Sequence, residues 1–303
     1  MLPELKDISN EEVKLPESSK VRLFIKREDR IHPFVSGNKY RKLKYNLIEA
    51  ASLGFDTVLT FGGAYSNHIA AIASAGKLHH FKTIGVIRGD ELRSKKDYNP
   101  TLKFAQAQGM KLHFISREVY KNKTAQTFLE ELKRTFGSFY TVPEGGTNAL
   151  AVKGCEEILK PEDSMFDYIC CSVGTGGTLS GIINASKPHQ HIFGFPALKG
   201  DFLSDIISKF AMKRNWELQT AYHFGGYAKI NNELIEFMNR FKAENDIPLD
   251  PVYTGKMMFG IIDLIKKGYF PPQSNILAVH TGGLQGIEGM NLKLKKKNLP
   301  LII

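Results

Sequence analysis

The residues with the clearest chemical potential lie in the stretch SGNKYRKLKYNL, residues 36–47. Four cations (Lys39, Arg41, Lys42 and Lys44) crowd six positions just after Gly37 and Asn38. Tyr40, Leu43, Leu47, Ile48 and Ala51 follow one helical stripe, so a helix starts near Lys39. Lys39 then sits in its first turn, near the positive end of the helix dipole. Lys42, three residues on, shares its face, and Arg41 is close. Each of these influences disfavours an ammonium and lowers the pKa expected for Lys39. A lysine that readily loses its proton can form a Schiff base with an aldehyde. Any lysine taken alone reads more simply as a solvated surface residue, and Lys44 keeps that reading.

Three glycine-rich turns offer complementary chemistry. In TFGGAYSNHIAAIASAG (60–76) a strand ends at Gly62–Gly63 and a small-residue helix begins near Ser66. The others are CSVGTGGTLSGII (171–183) and AVHTGGLQGI (278–287). In the run Gly174, Thr175, Gly176, Gly177, Thr178, glycine lets the backbone turn tightly and approach a ligand. The helix that follows aims unpaired N–H groups and a positive dipole end at the loop, which suits a phosphate. No Gly-Lys-Ser/Thr follows, so this is not a P-loop. Leu179 stands where a dinucleotide fingerprint needs its third glycine.

The elements that must position these groups alternate. Strand-like runs occupy 21–29, 56–61, 82–88, 111–116, 138–142, 166–173, 191–196 and 275–280. Helical patterns fall at 99–108, 118–135, 148–160, 231–245 and 255–268. The alternation predicts α/β layers with largely parallel sheets, and the number of strands suits two sheets better than one. In such folds ligands bind at strand-to-helix turns.

With 303 residues, 42% of them hydrophobic, the chain can bury a large core. No apolar run follows a basic start, and no window approaches the roughly 18 apolar residues of a membrane helix. Cys155, Cys170 and Cys171 form neither a disulfide framework nor a zinc pattern; they read as buried small residues, and no metal is expected. A cytoplasmic location follows as an expectation. The net charge of +10 is scattered. Its densest run, LKLKKKNLP at 292–300, reads as a solvated tail. No nucleic-acid-binding signature accompanies it, so a basic nucleic-acid-binding protein is a remote alternative. An anionic small-molecule ligand would benefit from the field.

Taken in order, SGNKYRKL, GGAYSNH, GTGGT, DPVYTGKMMFG (250–260) and HTGG resemble the pyridoxal-phosphate (PLP) enzymes of the tryptophan synthase β fold, fold type II. The resemblance runs from about Lys26 to Gly283, specifically to the 1-aminocyclopropane-1-carboxylate (ACC) deaminase and D-cysteine desulfhydrase group. It implies two open parallel-sheet domains with flanking helices: a large cofactor-binding domain of residues 1–48 plus 147–303, and a small α/β domain of residues 49–146. It implies pyridoxal 5'-phosphate as cofactor, a small amino acid as substrate, and a homodimer. Lys39 corresponds to the lysine that holds the cofactor covalently. Asn67 corresponds to the partner of its phenolic oxygen, and Gly174 to Thr178 correspond to the phosphate cup, with Lys42 nearby. Ser66, Asn67 and His68 lie where the group meets the substrate carboxylate. Tyr227 and Tyr253 look like its two active-site tyrosines, although each alone could be a core aromatic.

Thr254 and Thr281 stand where ring-opening members carry Glu and Leu. A glutamate beside the pyridine nitrogen keeps it protonated, whereas a threonine hydroxyl can only hydrogen-bond it. Loss of a thiolate needs less electron withdrawal than cleavage of a carbon–carbon bond. The expectation is therefore α,β-elimination, D-cysteine giving pyruvate, ammonia and hydrogen sulfide. Lys39 would be the base, and Ser66 and Tyr253 its helpers. The alternatives are ACC deamination to 2-oxobutanoate and ammonia, and a non-catalytic PLP binder. The short chain, and Tyr65 and His68 around Ser66–Asn67, depart from the pattern of some members.

Overall fold

The structure, a computed structural model, describes residues 8–94 and 98–303. Among the described residues ten strands form two sheets. The larger is built from β1 (Asn10–Glu12), β2 (Arg22–Lys26), β7 (Tyr168–Val173), β8 (His191–Pro196), β9 (Trp216–Leu218) and β10 (Asn275–Val279), in the order β1-β2-β10-β7-β8-β9. The smaller contains β3 (Thr57–Gly63), β4 (Lys82–Arg88), β5 (Lys111–Ile115) and β6 (Tyr140–Val142), in the order β5-β4-β3-β6. Every pairing is parallel except β1 with β2. Parallel strands covered on both faces carry apolar side chains on both, as the near-continuous burial of β3, β7 and β10 requires.

Among the described residues eleven α-helices supply the cover: α1 (Asn38–Ser52), α2 (Asn67–Leu78), α3 (Pro100–Ala107), α4 (Arg117–Lys121), α5 (Gln126–Phe136), α6 (Ala149–Glu156), α7 (Gly177–Ala185), α8 (Leu203–Ser208), α9 (Asn232–Asn245), α10 (Thr254–Lys266) and α11 (Gly286–Lys295). Helices α9, α10 and α11 close one face of the larger sheet around Ile25, Cys170 and Ala278. Helices α6, α7 and α8 close the other around Ile169, Cys171 and Leu277. Helices α1, α2 and α3 cover one face of the smaller sheet. All three cysteines are buried and unpaired. Among the described residues no helix is long and apolar enough to cross a membrane, and no cluster of ligating side chains could hold a metal.

Several expectations need correction. β1 and β9 have only three residues each, with polar NEE in one and half-exposed WEL in the other, too short for a periodic signal. The helix expected over 118–135 is two helices, because a turn at 122–125 separates α4 from α5. The basic run 292–300 is no solvated tail at its start: Lys293, Leu294 and Lys295 complete α11, with Leu294 in the core.

The start of α1 is fixed from behind. Arg41, fully buried, donates to both carboxylate oxygens of Glu28 at 2.8 and 3.0 Å. Arg27 pairs with Asp29 in the same way. Breaking a buried pair of this kind costs about 3–5 kcal/mol. At Gly37 the backbone has φ +61°, and any Cβ there would overlap the Thr281 carbonyl. Glycine therefore lets the entry to α1 lie directly against the loop after β10.

Candidate active site

The C-terminal ends of β3, β7 and β10 meet the first turn of α1 around a cavity of about 580 Å³. That volume suits a cofactor-sized ligand. Lys39, Lys42, Ser66, Asn67, His68, Tyr227, Tyr253 and Thr281 all line it, as do Gly174, Thr175, Gly176 and Thr178. Gly177 opens α7 behind the loop, where a Cβ would press on Thr147.

Lys39 faces the cavity from α1, and its Nζ donates to Asn38 Oδ1 at 3.2 Å. Burial pushes its pKa down to about 7, with the Lys42 charge as the next cause. Arg41, expected to share in that effect, is turned away onto Glu28. The Asn38 amide also donates to Thr178 Oγ1 at 2.7 Å, tying α1 to the glycine loop.

Lys42 Nζ donates to the Gly145 carbonyl (2.9 Å), Thr147 Oγ1 (3.1 Å) and Thr175 Oγ1 (3.4 Å). The two threonine hydroxyls are 2.6 Å apart. Burial lowers the pKa of Lys42, and among the described residues it has no carboxylate partner. A buried ammonium beside a glycine loop and a helix N-terminus, with no anion of its own, calls for an anionic ligand. The loop is shaped for close approach: Gly176 has φ +83°, and a Cβ on Gly174 would come within 3.1 Å of the Tyr253 ring.

The turn after β3 forms a second wall. Ser66 caps α2, accepting from the Ile69 N–H at 3.4 Å. His68 is buried, its Nε2 2.9 Å from Thr60 Oγ1, whose own proton goes to the Val142 carbonyl. Nε2 therefore carries the imidazole proton, and among the described residues no hydrogen bond to Nδ1 is formed. Burial and the Lys39 and Lys42 charges hold His68 neutral. It offers a carboxylate no charge.

Thr254 departs from expectation. It is fully buried and absent from the cavity wall; its hydroxyl donates to Asp250 Oδ1 (2.9 Å) and accepts from the Asp250 N–H (2.8 Å). At the first position of α10 the hydroxyl is consumed locally, as short polar side chains at helix starts commonly are. Thr281 does line the cavity, 3.1 Å from the hydroxyl of Ser172. The Asp250 carboxylate, also on the wall, accepts from the N–H groups of Val252, Tyr253 and Thr254.

Tyr253 and Tyr227 meet edge to face, ring centroids 6.2 Å apart. Burial is the main reason both phenols titrate above the ordinary tyrosine range, so both stay protonated donors. Tyr227 is 45% exposed and belongs to the rim, not the core.

Sequence reasoning passed over Ser172, Asp250, Arg88 and Lys293, all on the wall. Ser172 is the last residue but one of the strand that leads into the glycine loop, and Asp250 opens DPVYTG; such positions commonly read as a strand end or helix cap. Lys293 lies over the Tyr65 ring, 4.1 Å from its centroid, a contact with no local signal.

A cavity of this kind, with a buried reactive amine and an anion cradle at the ends of parallel strands, defines a class. The chain belongs to the family of pyridoxal-phosphate dependent enzymes, whose sequence model matches residues 10–282. Within it the chain falls among the ACC deaminase and D-cysteine desulfhydrase homologues. It is 32% identical over 295 residues to the mitochondrial bifunctional D-cysteine desulfhydrase/1-aminocyclopropane-1-carboxylate deaminase of Arabidopsis thaliana, covering 88% of this chain and 73% of the relative. It is 27% identical to the 1-aminocyclopropane-1-carboxylate deaminase of Allorhizobium ampelinum, covering 89% of each. The crystal structure of an ACC deaminase homologue superposes with a TM-score of 0.80 at 27% identity, covering 96% of this chain and 94% of the other. The protein is thus a PLP-dependent enzyme of the lyase and deaminase type, with the tryptophan synthase β-like fold. The residues present fit the cofactor: an amine with pKa about 7 suits its aldehyde, and the Lys42–Thr147–Thr175 cluster beside the glycine loop suits its phosphate.

Proposed function

We propose that the protein catalyses α,β-elimination on a small amino acid with a good leaving group, most readily D-cysteine, giving pyruvate, ammonia and hydrogen sulfide. The observation that carries this reading is the hydroxyl pair Ser172–Thr281 on the cavity wall, where a ring nitrogen would be met by hydroxyls. Among the described residues no lining carboxylate is uncommitted: Asp250 is taken by backbone N–H groups and Thr254, and Glu144 pairs with Lys123 at 3.1 Å. Hydroxyls hydrogen-bond a pyridine nitrogen without keeping it protonated, which suits departure of a thiolate better than cleavage of a carbon–carbon bond.

In this reading Lys39 holds the cofactor, Asn67 meets its phenolic oxygen, and the loop from Gly174 to Thr178, with Lys42, holds its phosphate. The bound cofactor supplies an electron sink for charge developing at the substrate Cα. Ser66, Asn67 and the first N–H groups of α2 hold the substrate carboxylate; the uncharged His68 completes that wall. Lys39, its pKa lowered to about 7 so that about half of it is unprotonated at that pH, removes the Cα proton. Tyr253, kept protonated by burial, donates a proton to the departing thiolate, and Tyr227 orients it. The 2-aminoacrylate produced takes up water to give pyruvate and ammonia.

A second reading, ACC deamination, is favoured by the names of the relatives above. Pyruvate and sulfide from D- and L-cysteine, measured against 2-oxobutanoate from ACC on one preparation, separates the two. Faster turnover of ACC would overturn the first reading. The homodimer remains part of the proposal, to be checked by light scattering.

A further inference from the structure

We propose that Lys256, which lies behind the cavity wall, is a positioning residue: it clamps the loop 223–229 so that Tyr227 faces Tyr253. Lys256 is 2% exposed and sits in the first turn of α10, three residues after Tyr253. Its Nζ donates to the carbonyls of His223 (2.9 Å) and Gly226 (2.7 Å), and among the described residues it has no carboxylate partner. Burial pushes its pKa down to about 8, so an apolar residue would be cheaper to fold there.

The loop it holds is strained. Phe224 (φ 52°) and Ala228 (φ 54°) adopt the left-handed conformation, which a Cβ disfavours, and Gly225 and Gly226 also have positive φ. Within the loop the Gly226 N–H donates to the His223 carbonyl (3.0 Å) and the Lys229 N–H to the Gly226 carbonyl (3.2 Å). The two carbonyls that close these turns are the two that Lys256 takes. Phe259, one turn further along α10, meets the Phe224 ring edge to face at 4.9 Å. One helix therefore carries Tyr253, the clamp and the aromatic stop. Between the clamped carbonyl and the strained Ala228 stands Tyr227, 6.2 Å from Tyr253 by ring centroids. The clamp converts the position of one tyrosine into that of the other.

The inference rests on the proposed role of the tyrosines, so its test includes a readout independent of turnover. The holoenzyme is compared with Lys256→Met, Tyr227→Phe and the double variant. D-cysteine and ACC are the substrates, and amide hydrogen exchange is followed over residues 223–229. A clamp predicts that Lys256→Met keeps the visible absorbance of the bound cofactor. Exchange in the loop should accelerate roughly tenfold or more, with exchange in β7 and α7 unchanged. The catalytic constant should fall about tenfold, and adding Tyr227→Phe to Lys256→Met should cost less than about twofold more, because one interaction is lost in both. Losses that multiply in the double variant, or unchanged loop exchange, would overturn the clamp. If Lys256→Met does not fold, Lys256→Gln goes through the same cycle with the same outcomes deciding. A wild-type enzyme that turns over neither substrate would sink the proposed reaction, while the exchange data still decide the clamp.

Discussion

The two sides of the cavity are built differently. The side formed by the turns after β7 and β10, together with the start of α1, is backbone and buried side chain. It comprises Gly37 against Thr281, Asn38 against Thr178, and Lys42 against Thr147 and Thr175. The side reached through Tyr65, Arg88, Tyr227 and Lys293 is an exposed rim of long side chains, Tyr65 being 39% and Tyr227 45% exposed. A constant ligand can be met by fixed backbone, whereas adjustable side chains suit a variable one. In the proposed function the first side meets the cofactor phosphate, and the second is where amino acids would be told apart.

Substitutions can break this contrast from either side. The largest effect is expected from Gly37→Ala, which brings a Cβ onto the Thr281 carbonyl at a positive φ. It should cost about 3 kcal/mol or more in denaturant unfolding and weaken cofactor binding at least roughly a hundredfold. Tyr253→Phe, on the substrate side, should leave cofactor binding intact and lower the catalytic constant for D-cysteine about a hundredfold, the lower end for loss of a general acid. Lys42→Met should weaken cofactor binding about tenfold to a hundredfold in equilibrium dialysis, with a smaller change in the Michaelis constant, because it strips one charged donor from the phosphate side.

The pH dependence of cofactor uptake sharpens the same contrast. Only the unprotonated Lys39 amine can attack an aldehyde. With its pKa lowered to about 7, the neutral fraction grows as pH rises through that value. Stopped-flow uptake by the apoprotein should rise roughly tenfold between about pH 6 and pH 8 and then level off. An unshifted lysine would keep gaining to about pH 10. The smallest effect is expected at the rim. Lys293→Met should change the Michaelis constant for D-cysteine about threefold or less, with the effect shrinking at high salt and the catalytic constant unchanged.

The same division governs what the sequence reveals. That Gly174–Thr178 turns tightly beside the cavity could be read because such turns demand glycine, and glycine is visible in a sequence. The helix start at Lys39 could be read from apolar spacing. Its low pKa could be anticipated in direction but not in cause: burial outweighs the neighbouring charges, and Arg41 is neutralised by Glu28, a partner thirteen residues away. The placement of Thr254 off the cavity wall could not be read, because motif position does not say whether a hydroxyl faces a cavity or its own helix cap. Lys256, Lys293 and Arg88 gave no signal, since what they touch lies on other elements. The short edge strands β1 and β9 escaped notice because NEE and WEL lack the aromatic and β-branched run that marked the equally short β6.

The most direct test of the central claim is pyruvate and sulfide release from D-cysteine by purified wild-type and Lys39→Ala protein, with the visible spectrum of each. The account predicts a yellow wild-type enzyme that releases the two products in equal amounts. It also predicts a Lys39→Ala protein without that absorbance, slower by roughly a thousandfold or more. A Lys39→Ala protein that stays yellow and turns over D-cysteine at the wild-type rate would contradict it.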